Sequence, residues 1–401
     1  MKEGMAVARE FSSSSRLFLG SLVLILIVVG YAWWRVGQCS PQAVPVSDSV
    51  TVPSMEKPAT ATLVAVGDVW LSRKVGKLIA SYGEEYPIVN IKLALREADL
   101  AFANLETPIS NRGQALPGKG ICFRADPATM TTLTEAGFDI LNLANNHSVD
   151  YDSPALLDTI ELLNQVGIKT VGAGANITEA RRPQILEVNG LKVGFLAYSE
   201  MADLFFSYQY PRRFQATETV PGVAPLILKE IQVDVQQLRP QVDVLIVSLH
   251  WGVEYTELPT PEQRKLAHAL IDSGVDAIIG HHPHVFQAME VYQGKPIAYS
   301  LGNFITDQNF SFPTREALLL KLQLDRQGVA GVTILPVFIP ESQPVVLKDT
   351  HGQQILEKLQ NLSRKLDTEL LITGEQGYLP GLRGQVLDTR TRKGGTANGR
   401  T

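Results

Sequence analysis

Three of the seven histidines in this 401-residue sequence lie within four consecutive positions. They are His281, His282 and His284, and they belong to the segment IIGHHPHV (residues 278–285), which begins with apolar residues. Neutral imidazole is the commonest metal ligand in proteins, so the segment is either a metal site or a polar loop. The choice depends on which other residues the fold brings to it.

Five further apolar runs end in residues that bind metals or carry protons. VAVGD ends at Asp68, AFANLE at Asn104 and Glu106, ILNLANNH at Asn146 and His147, VLIVSLH at His250, and IAYSLGN at Asn303. Each run alone is as consistent with a core strand that enters a polar loop. Together they predict one site, because ligands of α/β sheets bind outside the carboxyl ends of the strands.

The predicted site mixes carboxylate and amide oxygens with imidazole nitrogens. This ligand set suits Mn, Fe or Zn, with Mg as an option where oxygen dominates, and it is large enough for one or two divalent ions. Within IIGHHPHV, His282 and His284 are the predicted ligands, because one turn stiffened by Pro283 lets both face the same site. His281 is the less certain member of the cluster.

Other polar residues carry weaker predictions. The guanidinium of Arg73 in GDVWLSR can bind a phosphate or a carboxylate, although a structural arginine is nearly as consistent with the pattern. His268, in a helical pattern, and His351, in a polar loop, are interpreted as structural or solvated. The sequence lacks the G-x-S-x-G and P-loop motifs, and Cys122 lies outside the strand ends, so no serine or cysteine nucleophile is predicted.

Short apolar runs alternate with helical patterns along the chain. SPALLDTIELLNQVG (residues 153–167) and TPEQRKLAHALIDSG (residues 260–274) each begin with a capping hydroxyl residue and Pro and end at Gly, which predicts two helices. Asn189-Gly190 predicts a hairpin, and a second hairpin is predicted over residues 317–339 around DRQG. Helices between strands, with hairpins added, indicate an α/β fold with mixed sheets.

Composition narrows the functional class. The chain is 45% hydrophobic and 19% charged, which is an ordinary balance for a globular protein with a large core. Its formal net charge is -5, and its Lys and Arg residues do not cluster into a basic patch, so nucleic acid is not a predicted partner. Cys39 and Cys122 are too few to build a disulfide framework.

The segment LFLGSLVLILIVVGYAWW (residues 17–34) contains no charged residue. Its length is close to the roughly 20 residues that span a bilayer, which predicts an uncleaved membrane anchor; a cleaved signal peptide is the alternative. Lys2, Arg9 and Arg16 precede the segment. Because positive charge favours the cytoplasmic side, the body of the protein is predicted to be extracytoplasmic.

This interpretation divides the chain into five parts. Residues 1–16 are predicted to be a cytoplasmic N-terminus, residues 17–36 a transmembrane helix, residues 37–60 an extended linker, residues 61–380 the globular domain and residues 381–401 a disordered tail. The predicted location is the cell membrane, with a single pass.

Seven segments, taken in order, resemble those of a known family. GDVWLSR, ANLETPIS, FRADP, NLANNHSVDY, SLHWGVEY, IIGHHPHV and YSLGNF look like the CapA (PgsA) family of poly-γ-glutamate capsule biosynthesis proteins, a branch of the calcineurin-like metallophosphoesterase superfamily. The resemblance covers roughly residues 62–306. It implies a sandwich of two mixed β-sheets flanked by helices, and a membrane-attached domain outside the cytoplasm.

The resemblance also implies roles for individual residues. The implied metal ligands are Asp68, Glu106, Asn146, His250, His282 and His284, with Glu106 at the position of the superfamily's bridging carboxylate. His147 is implied to be the general acid that protonates a leaving oxygen. Asn104 is implied to be a second candidate for the bridging position, and together with Arg73 it is predicted to contact the substrate.

Two departures from the superfamily leave the function open. The D-x-H motif is replaced by Asp68-Val69-Trp70, and the bridging GD-x-x-D motif by NLE. One hypothesis is a metal-dependent hydrolase of a phosphoester or polymer bond. The alternative is a non-catalytic accessory subunit that binds poly-γ-glutamate or the subunits of a capsule synthase, with a structural metal site. A third interpretation makes the histidine cluster purely structural.

Overall fold

The structure, a computed structural model, describes residues 59–382. The predicted N-terminus, anchor and tail, residues 1–16, 17–36 and 381–401, lie outside the described residues except for positions 381 and 382, as does the linker up to residue 58. Within the described range, no helix has the length and apolar character needed to cross a membrane. The anchor therefore stays a prediction.

Strands and helices alternate through the described range. The strands are β1 Thr60–Val69, β2 Leu100–Leu105, β3 Ile140–Asn142, β4 Lys169–Val171, β5 Ala173–Gly174, β6 Gln184–Val188, β7 Leu191–Ser199, β8 Gly222–Val223, β9 Val244–His250, β10 Ala277–His281, β11 Met289–Tyr292, β12 Lys295–Ala298, β13 Asn303–Ile305, β14 Glu316–Asp325, β15 Gly328–Phe338, β16 Val345–Val346, β17 Leu371–Thr373 and β18 Gln376–Tyr378. The α-helices are α1 Arg73–Tyr82, α2 Lys92–Arg96, α3 Met130–Ala136, α4 Asp152–Gln165, α5 Ile177–Ala180, α6 Leu228–Leu238, α7 Pro261–Asp272 and α8 Thr350–Arg364.

Two large sheets organise the fold. The first has the strand order β17-β18-β15-β14-β1-β2-β3-β4, with β13 beside β1 and β16 beside β15. The second has the order β11-β12-β10-β9-β7-β6, and β5 pairs with β8 in a small third sheet. Both large sheets combine parallel and antiparallel pairs, such as β1 parallel to β2 and antiparallel to β14. The predicted α/β fold with mixed sheets is confirmed.

The core lies between the two large sheets. Every residue of β2 and of β9 is buried, as expected for strands covered on both faces. The ring of Phe102 on β2 stacks on the ring of Phe195 on β7, with centroids 5.9 Å apart and planes at 7°. This contact joins the first sheet to the second and fixes their spacing.

The predicted helices form, with one shifted start. At α7, the Thr260 hydroxyl accepts from the Gln263 backbone N–H and the Gln263 amide oxygen accepts from the Thr260 N–H, which is a capping box. Helix α4 begins at Asp152, one residue before the predicted Ser153 cap. The Asp152 carboxylate instead accepts from the Ser153 N–H at 2.7 Å. His351 lies in α8 and not in a loop.

Both predicted hairpins are present. Asn189 and Gly190 have φ values of 49° and 79° between β6 and β7. Two successive positive φ values are the requirement of a type I′ turn, which Asn-Gly satisfies at least cost. The second hairpin joins β14 to β15 through residues 326 and 327.

Strand register brings the chemical residues to one edge of each sheet. In the first sheet Asp68 is paired with Asn104 on one side and with Asn303 on the other, and Asn104 is paired with Asn142. In the second sheet His250 is paired with His281. The predicted convergence of strand ends is therefore built into the hydrogen-bond ladders.

Candidate metal centre

The turn after β10 presents two histidines in an unusual backbone conformation. His282 and His284 have φ values of 99° and 58°, in the region that favours glycine. Such conformations cost about 1–3 kcal/mol each and persist where the surrounding structure enforces them, commonly at functional sites. Pro283 between them and the short turn direct both rings to the same side, with ring centroids 5.9 Å apart.

Asp68 is the buried carboxylate at the end of β1. Its Oδ1 atom accepts from the Asn104 amide at 2.8 Å and lies 3.3 Å from His281 Nδ1, and its Oδ2 atom lies 3.4 Å from His284 Nδ1. Burial alone would raise the pKa of Asp68, but the neighbouring imidazoles of His281 and His284 outweigh burial and hold the pKa well below its usual range. Asp68 is therefore ionised and suited to a cation.

Glu106 is a second buried carboxylate near the end of β2. Among the described residues, neither of its oxygens has a hydrogen-bond partner, and its Oε1 atom lies 3.6 Å from His250 Nε2. Burial, and then the charge of Asp68, raises the pKa of Glu106 well above its usual range. Leaving a buried polar group unpaired costs about 1–3 kcal/mol, and a bound cation would offset this cost. Glu106 thus fits a metal-binding role.

Two sets of possible ligands share Glu106. One consists of Glu106, His250 and His282, and the other of Asp68, Glu106 and His284. In each set, one ligand atom per residue lies within 4.8 Å of the others. Two ligand atoms of one ion are at most about 4.2 Å apart when each metal–ligand distance is about 2.1 Å, so the side chains would close slightly around a divalent ion.

The histidines have the protonation state that metal binding needs. Burial, and then the charge of His282, lowers the pKa of His250 well below its usual value. Burial, followed by the charge of His284, lowers the pKa of His282 to about 3. Both imidazoles are therefore neutral near pH 7, which is the form that binds a metal. The Asn146 Oδ1 atom lies 2.8 Å from His250 Nε2 and adds an oxygen beside the Glu106–His250–His282 set.

The His281 side chain lies in the core next to the predicted ligands. Its ring is fully buried and packs 6.0 Å from the ring of Phe102. It belongs to none of the ligand sets found within residues 59–382. This placement agrees with its interpretation as the less certain member of the cluster.

The Asn104 side chain makes several hydrogen bonds to residues of the site and of the neighbouring strands. Its Nδ2 atom donates to Asp68 and lies 3.4 Å from His250 Nδ1, and its Oδ1 atom accepts from Asn142 and Asn145 at 3.0 and 3.1 Å. Both ends of the amide are engaged by the protein, and the residue is completely buried. The structure gives Asn104 a supporting position, which differs from the substrate contact expected from the sequence.

His147 is held by a buried ion pair. Its Nδ1 atom lies 2.7 Å from Asp150 Oδ2 and 3.3 Å from Lys119 Nζ, and Lys119 also pairs with Asp150. The ring stacks on Phe123 with centroids 4.1 Å apart. Burial lowers the pKa of His147, and Asp150 partly counteracts it. These contacts fix the ring and leave Nε2 as its second nitrogen for proton transfer.

Arg73 lies at the accessible rim. Its side chain is 46% exposed, its Nε atom is 3.2 Å from Asp307 Oδ2, and its guanidinium lies 5.4 Å from the centre of the Phe123 ring. The same Phe123 ring covers His147, so Arg73 and His147 flank one aromatic surface. This position is compatible with the predicted contact to an anionic substrate.

A sequence model of one family matches residues 62–308, and its description is bacterial capsule synthesis protein PGA_cap. The chain belongs to this family. The match confirms the predicted CapA-type family, and it contains every predicted site residue.

Relatives of this PGA_cap protein have named roles in capsule synthesis. It is 33% identical over 290 residues to the capsule biosynthesis protein CapA of Bacillus anthracis, covering 71% of this chain and 68% of that protein. It is 28% identical over 347 residues to the PGA biosynthesis protein CapA of Bacillus subtilis strain 168, covering 86% of each. A solved Staphylococcus aureus structure, provisionally assigned as a 5'-nucleotidase and bound to alpha-ketoglutarate, aligns at 16% identity with a TM-score of 0.43, covering 75% of this chain and 58% of that chain.

In this PGA_cap chain, Trp70 lies at the position where the resemblance to the metallophosphoesterase superfamily implies the histidine of a D-x-H motif. The Trp70 ring meets the His284 ring edge-on at 5.6 Å, and Trp70 Nε1 donates to Asp307 Oδ1 at 3.3 Å. Trp70 is completely buried. It therefore forms a wall against His284 and contributes no ligand.

The structure adds three residues that the sequence interpretation missed. Lys119 and Asp150 hold His147, and Glu254 forms a ligand set with His282 and His284. Asp150 and Glu254 lie in the PGA_cap segments NLANNHSVDY and SLHWGVEY, so the segments contained the signal. Lys119 lies in an irregular stretch without a periodic pattern, and only the packing brings its Nζ atom to the site.

Proposed function

We propose that this protein acts in the synthesis or export of a poly-γ-glutamate capsule, and that its metal centre hydrolyses a phosphoester or a bond of the polymer. The process is supported by the PGA_cap family and by the names of the two Bacillus relatives. The observation that carries the chemistry is Glu106. Both of its oxygens are buried without a hydrogen-bond partner among the described residues, and Glu106 belongs to both ligand sets, as a bridging carboxylate requires.

The residues present would hold two divalent ions. Asp68, Glu106 and His284 would hold one ion, while Glu106, His250 and His282, with Asn146 beside them, would hold the other. The nitrogen content of both sets favours Mn, Fe or Zn over Mg. Bound ions would supply Lewis acidity and activate water for attack on a phosphoryl or carbonyl centre.

The chain's own residues supply proton transfer and orientation. His147 Nδ1 is held by Asp150, so in the doubly protonated ring the Nε2 atom would carry the proton given to the leaving group. Arg73, on the exposed rim, would bind a phosphate or carboxylate of the substrate. Asn104 would hold Asp68 and His250 in place through its amide.

The proposal includes the membrane anchor over residues 17–36, with the globular domain outside the cytoplasm. Support comes from the length of the apolar segment and from the positive charges that precede it. In that location the domain would meet the polymer and the subunits of a capsule synthase.

The first experiment measures the metal content of the purified full-length protein. The wild type is expected to carry two divalent ions per chain, and the variant His282→Ala plus His284→Ala is expected to lose both. His351→Ala is the matched control, because His351 is a half-buried histidine of α8 that pairs with Glu316 on β14. If the wild type carries no stoichiometric metal, the proposed metal-dependent hydrolase activity is refuted.

The second experiment separates hydrolysis from an accessory role. His147→Ala should retain the metal and lose cleavage of phosphoesters and of poly-γ-glutamate. If instead every hydrolysis assay and capsule formation in cells are unchanged, the metal centre is not catalytic and the protein is an accessory subunit.

A further inference from the structure

Glu254 lies on a loop that is attached to the histidine turn. The loop follows β9, and three backbone hydrogen bonds connect it to the end of β10 and the segment after it. They run from Trp251 N–H to His281 O at 3.2 Å, from Tyr255 N–H to Pro283 O at 2.8 Å, and from Ala288 N–H to Glu257 O at 3.1 Å. The bond made by Tyr255 is directly adjacent to Glu254. The position of Glu254 relative to His282 and His284 is therefore set by the backbone.

Glu254, His282 and His284 form a third ligand set. One carboxylate oxygen of Glu254 and one nitrogen of each histidine all lie within 4.8 Å of one another. A second observation also points to a ligand. His282 is only 5% exposed, and its Nδ1 atom has no hydrogen-bond partner among the described residues.

The three ligand sets differ in their access to solvent. Asp68, Glu106 and His250 are completely buried, whereas His282 and His284 are 5% and 4% exposed and Glu254 is exposed. A hydrated cation arriving from solvent therefore meets Glu254 before it meets an inner carboxylate. The third set is the outer one.

The outer set shares both of its histidines with the inner sets. His282 belongs to the set with Glu106 and His250, and His284 belongs to the set with Asp68 and Glu106. Because a neutral imidazole binds a metal through one nitrogen while the other carries its proton, each histidine serves one cation at a time. The outer position and the two inner positions cannot all be filled together.

We propose that Glu254, His282 and His284 form an outer cation position through which divalent metal ions enter the inner centre. The inference rests on the proposed metal centre and adds the route by which that centre is filled. The carboxylate of Glu254 attracts the hydrated ion, and the three side chains replace part of its water. The ion then moves inward as Asp68 and Glu106 replace Glu254, so that its hydration shell is lost in steps and not at once.

The test measures Co²⁺ uptake by the metal-free full-length protein. Stopped-flow mixing follows the visible absorption that Co²⁺ gains in the protein, and the end point gives the number of ions bound. Glu254→Gln removes the charge and is expected to slow uptake about tenfold, at the lower end of the rate effect of electrostatic attraction. The final absorption and the number of ions should equal those of the wild type, and the uptake rate should depend less on salt.

Two further variants control this result. Glu257→Gln removes a charge three positions away, from a carboxylate that pairs with Lys358 at 2.8 Å, and should leave the uptake rate unchanged. Glu254→Asp retains the charge and should keep most of the wild-type rate.

Different outcomes would overturn different claims. Equal uptake rates for the wild type and Glu254→Gln, with normal ion counts, would overturn the entry position and leave the proposed function standing. Loss of one ion from Glu254→Gln at saturation would also overturn it, because Glu254 would then be a permanent ligand. A wild type that binds no Co²⁺ would overturn the proposed metal centre and the entry position with it.

Discussion

The Nδ1 atom of His147 lies 2.7 Å from the Oδ2 atom of Asp150, a carboxylate with no solvent exposure. Asp150 also accepts from the Phe123 backbone N–H at 2.6 Å, so it cannot turn away from the ring. The carboxylate favours the tautomer with the proton on Nδ1 and stabilises the doubly protonated ring. Asp150 is therefore a positioning residue for proton transfer by His147.

Asp150→Asn is expected to lower hydrolysis about 10²–10⁴-fold, the range that a general acid contributes, while metal content stays at the wild-type level. His147→Ala should have a similar effect, and the double variant should be no slower than the slower single variant, because the two residues act as one unit. Rates would be measured on a chromogenic phosphodiester and on poly-γ-glutamate. Multiplying effects in the double variant would show that the residues act separately.

Glu106→Gln is expected to have opposite effects on stability and on metal binding. In the presence of a chelator, the variant should be more stable than the wild type by about 1–3 kcal/mol at pH 7, because Gln carries no charge at a site where burial and Asp68 disfavour the ionised carboxylate. With metal added, the wild type should gain stability and the variant should not. Urea unfolding at pH 7, with and without Mn²⁺, measures both. A variant that is destabilised under chelator would show that Glu106 has a structural partner.

Gly67→Ala is expected to disrupt the metal centre through the backbone. A Cβ atom at Gly67 would lie 1.9 Å from the Gly302 carbonyl oxygen, so β1 and β13 must separate beside Asp68. We expect a loss of stability above about 3 kcal/mol and loss of bound metal, by comparison with other disruptive core substitutions. Gly120→Ala is the control, since a Cβ there meets no atom within 4 Å. Equal stability and metal content of the two variants would contradict the prediction.

Glu290 should give the fold a pH dependence of its own, away from the metal centre. Burial would raise its pKa, but hydrogen bonds from Arg264, Tyr299 and His268 outweigh burial and lower the pKa. Since the folded pKa is below the unfolded value of about 4.3, this stabilisation is complete above that pH and is lost as the pH falls through the folded pKa. Glu290→Gln should therefore cost about 2 kcal/mol at pH 7 and less in acid.

Urea unfolding of the wild type and of Glu290→Gln between pH 7 and pH 3 would test this pH dependence of the stability difference. Glu357→Gln is the control, because Glu357 is an exposed residue of α8 whose carboxylate accepts a hydrogen bond from the neutral Gln353 side chain at 3.2 Å. A cost for Glu290→Gln that stays constant with pH would rule out the charged hydrogen bonds as its source.

Much of the site could be predicted because the ligands follow apolar runs. Runs such as VLIVSLH identify strands from their composition, and the strand ends of an α/β sheet meet at a known edge. The direction of individual side chains was harder to predict from the sequence. Asn104 has the residue type of a substrate contact, but the parallel pairing of β2 with β1 and β3 turns its amide toward Asp68 and Asn142.

Residues outside the strands could not be placed from the sequence. Lys119 reaches Asp150 from an irregular segment, and its Nζ atom lies 4.9 Å from the centre of the Phe214 ring, which is distant in the chain. Such contacts depend on the packing of loops, which has no periodic signal. The start of α4 at Asp152 was missed for a similar reason, since Arg212 and Tyr210 hold the Asp152 carboxylate.

Asp68 pairs with Asn303, and His284 Nδ1 lies 3.1 Å from the Asn303 side chain and 3.4 Å from Asp68 Oδ2, so the site joins distant parts of the chain. A growing chain that has formed only β1 to β4 lacks His250, His282 and His284. The complete ligand set exists only after β9 and β10 of the second sheet have formed. The protein therefore binds its ions only when folding is nearly complete. The cations available in the compartment where folding ends then determine which metal ion is bound.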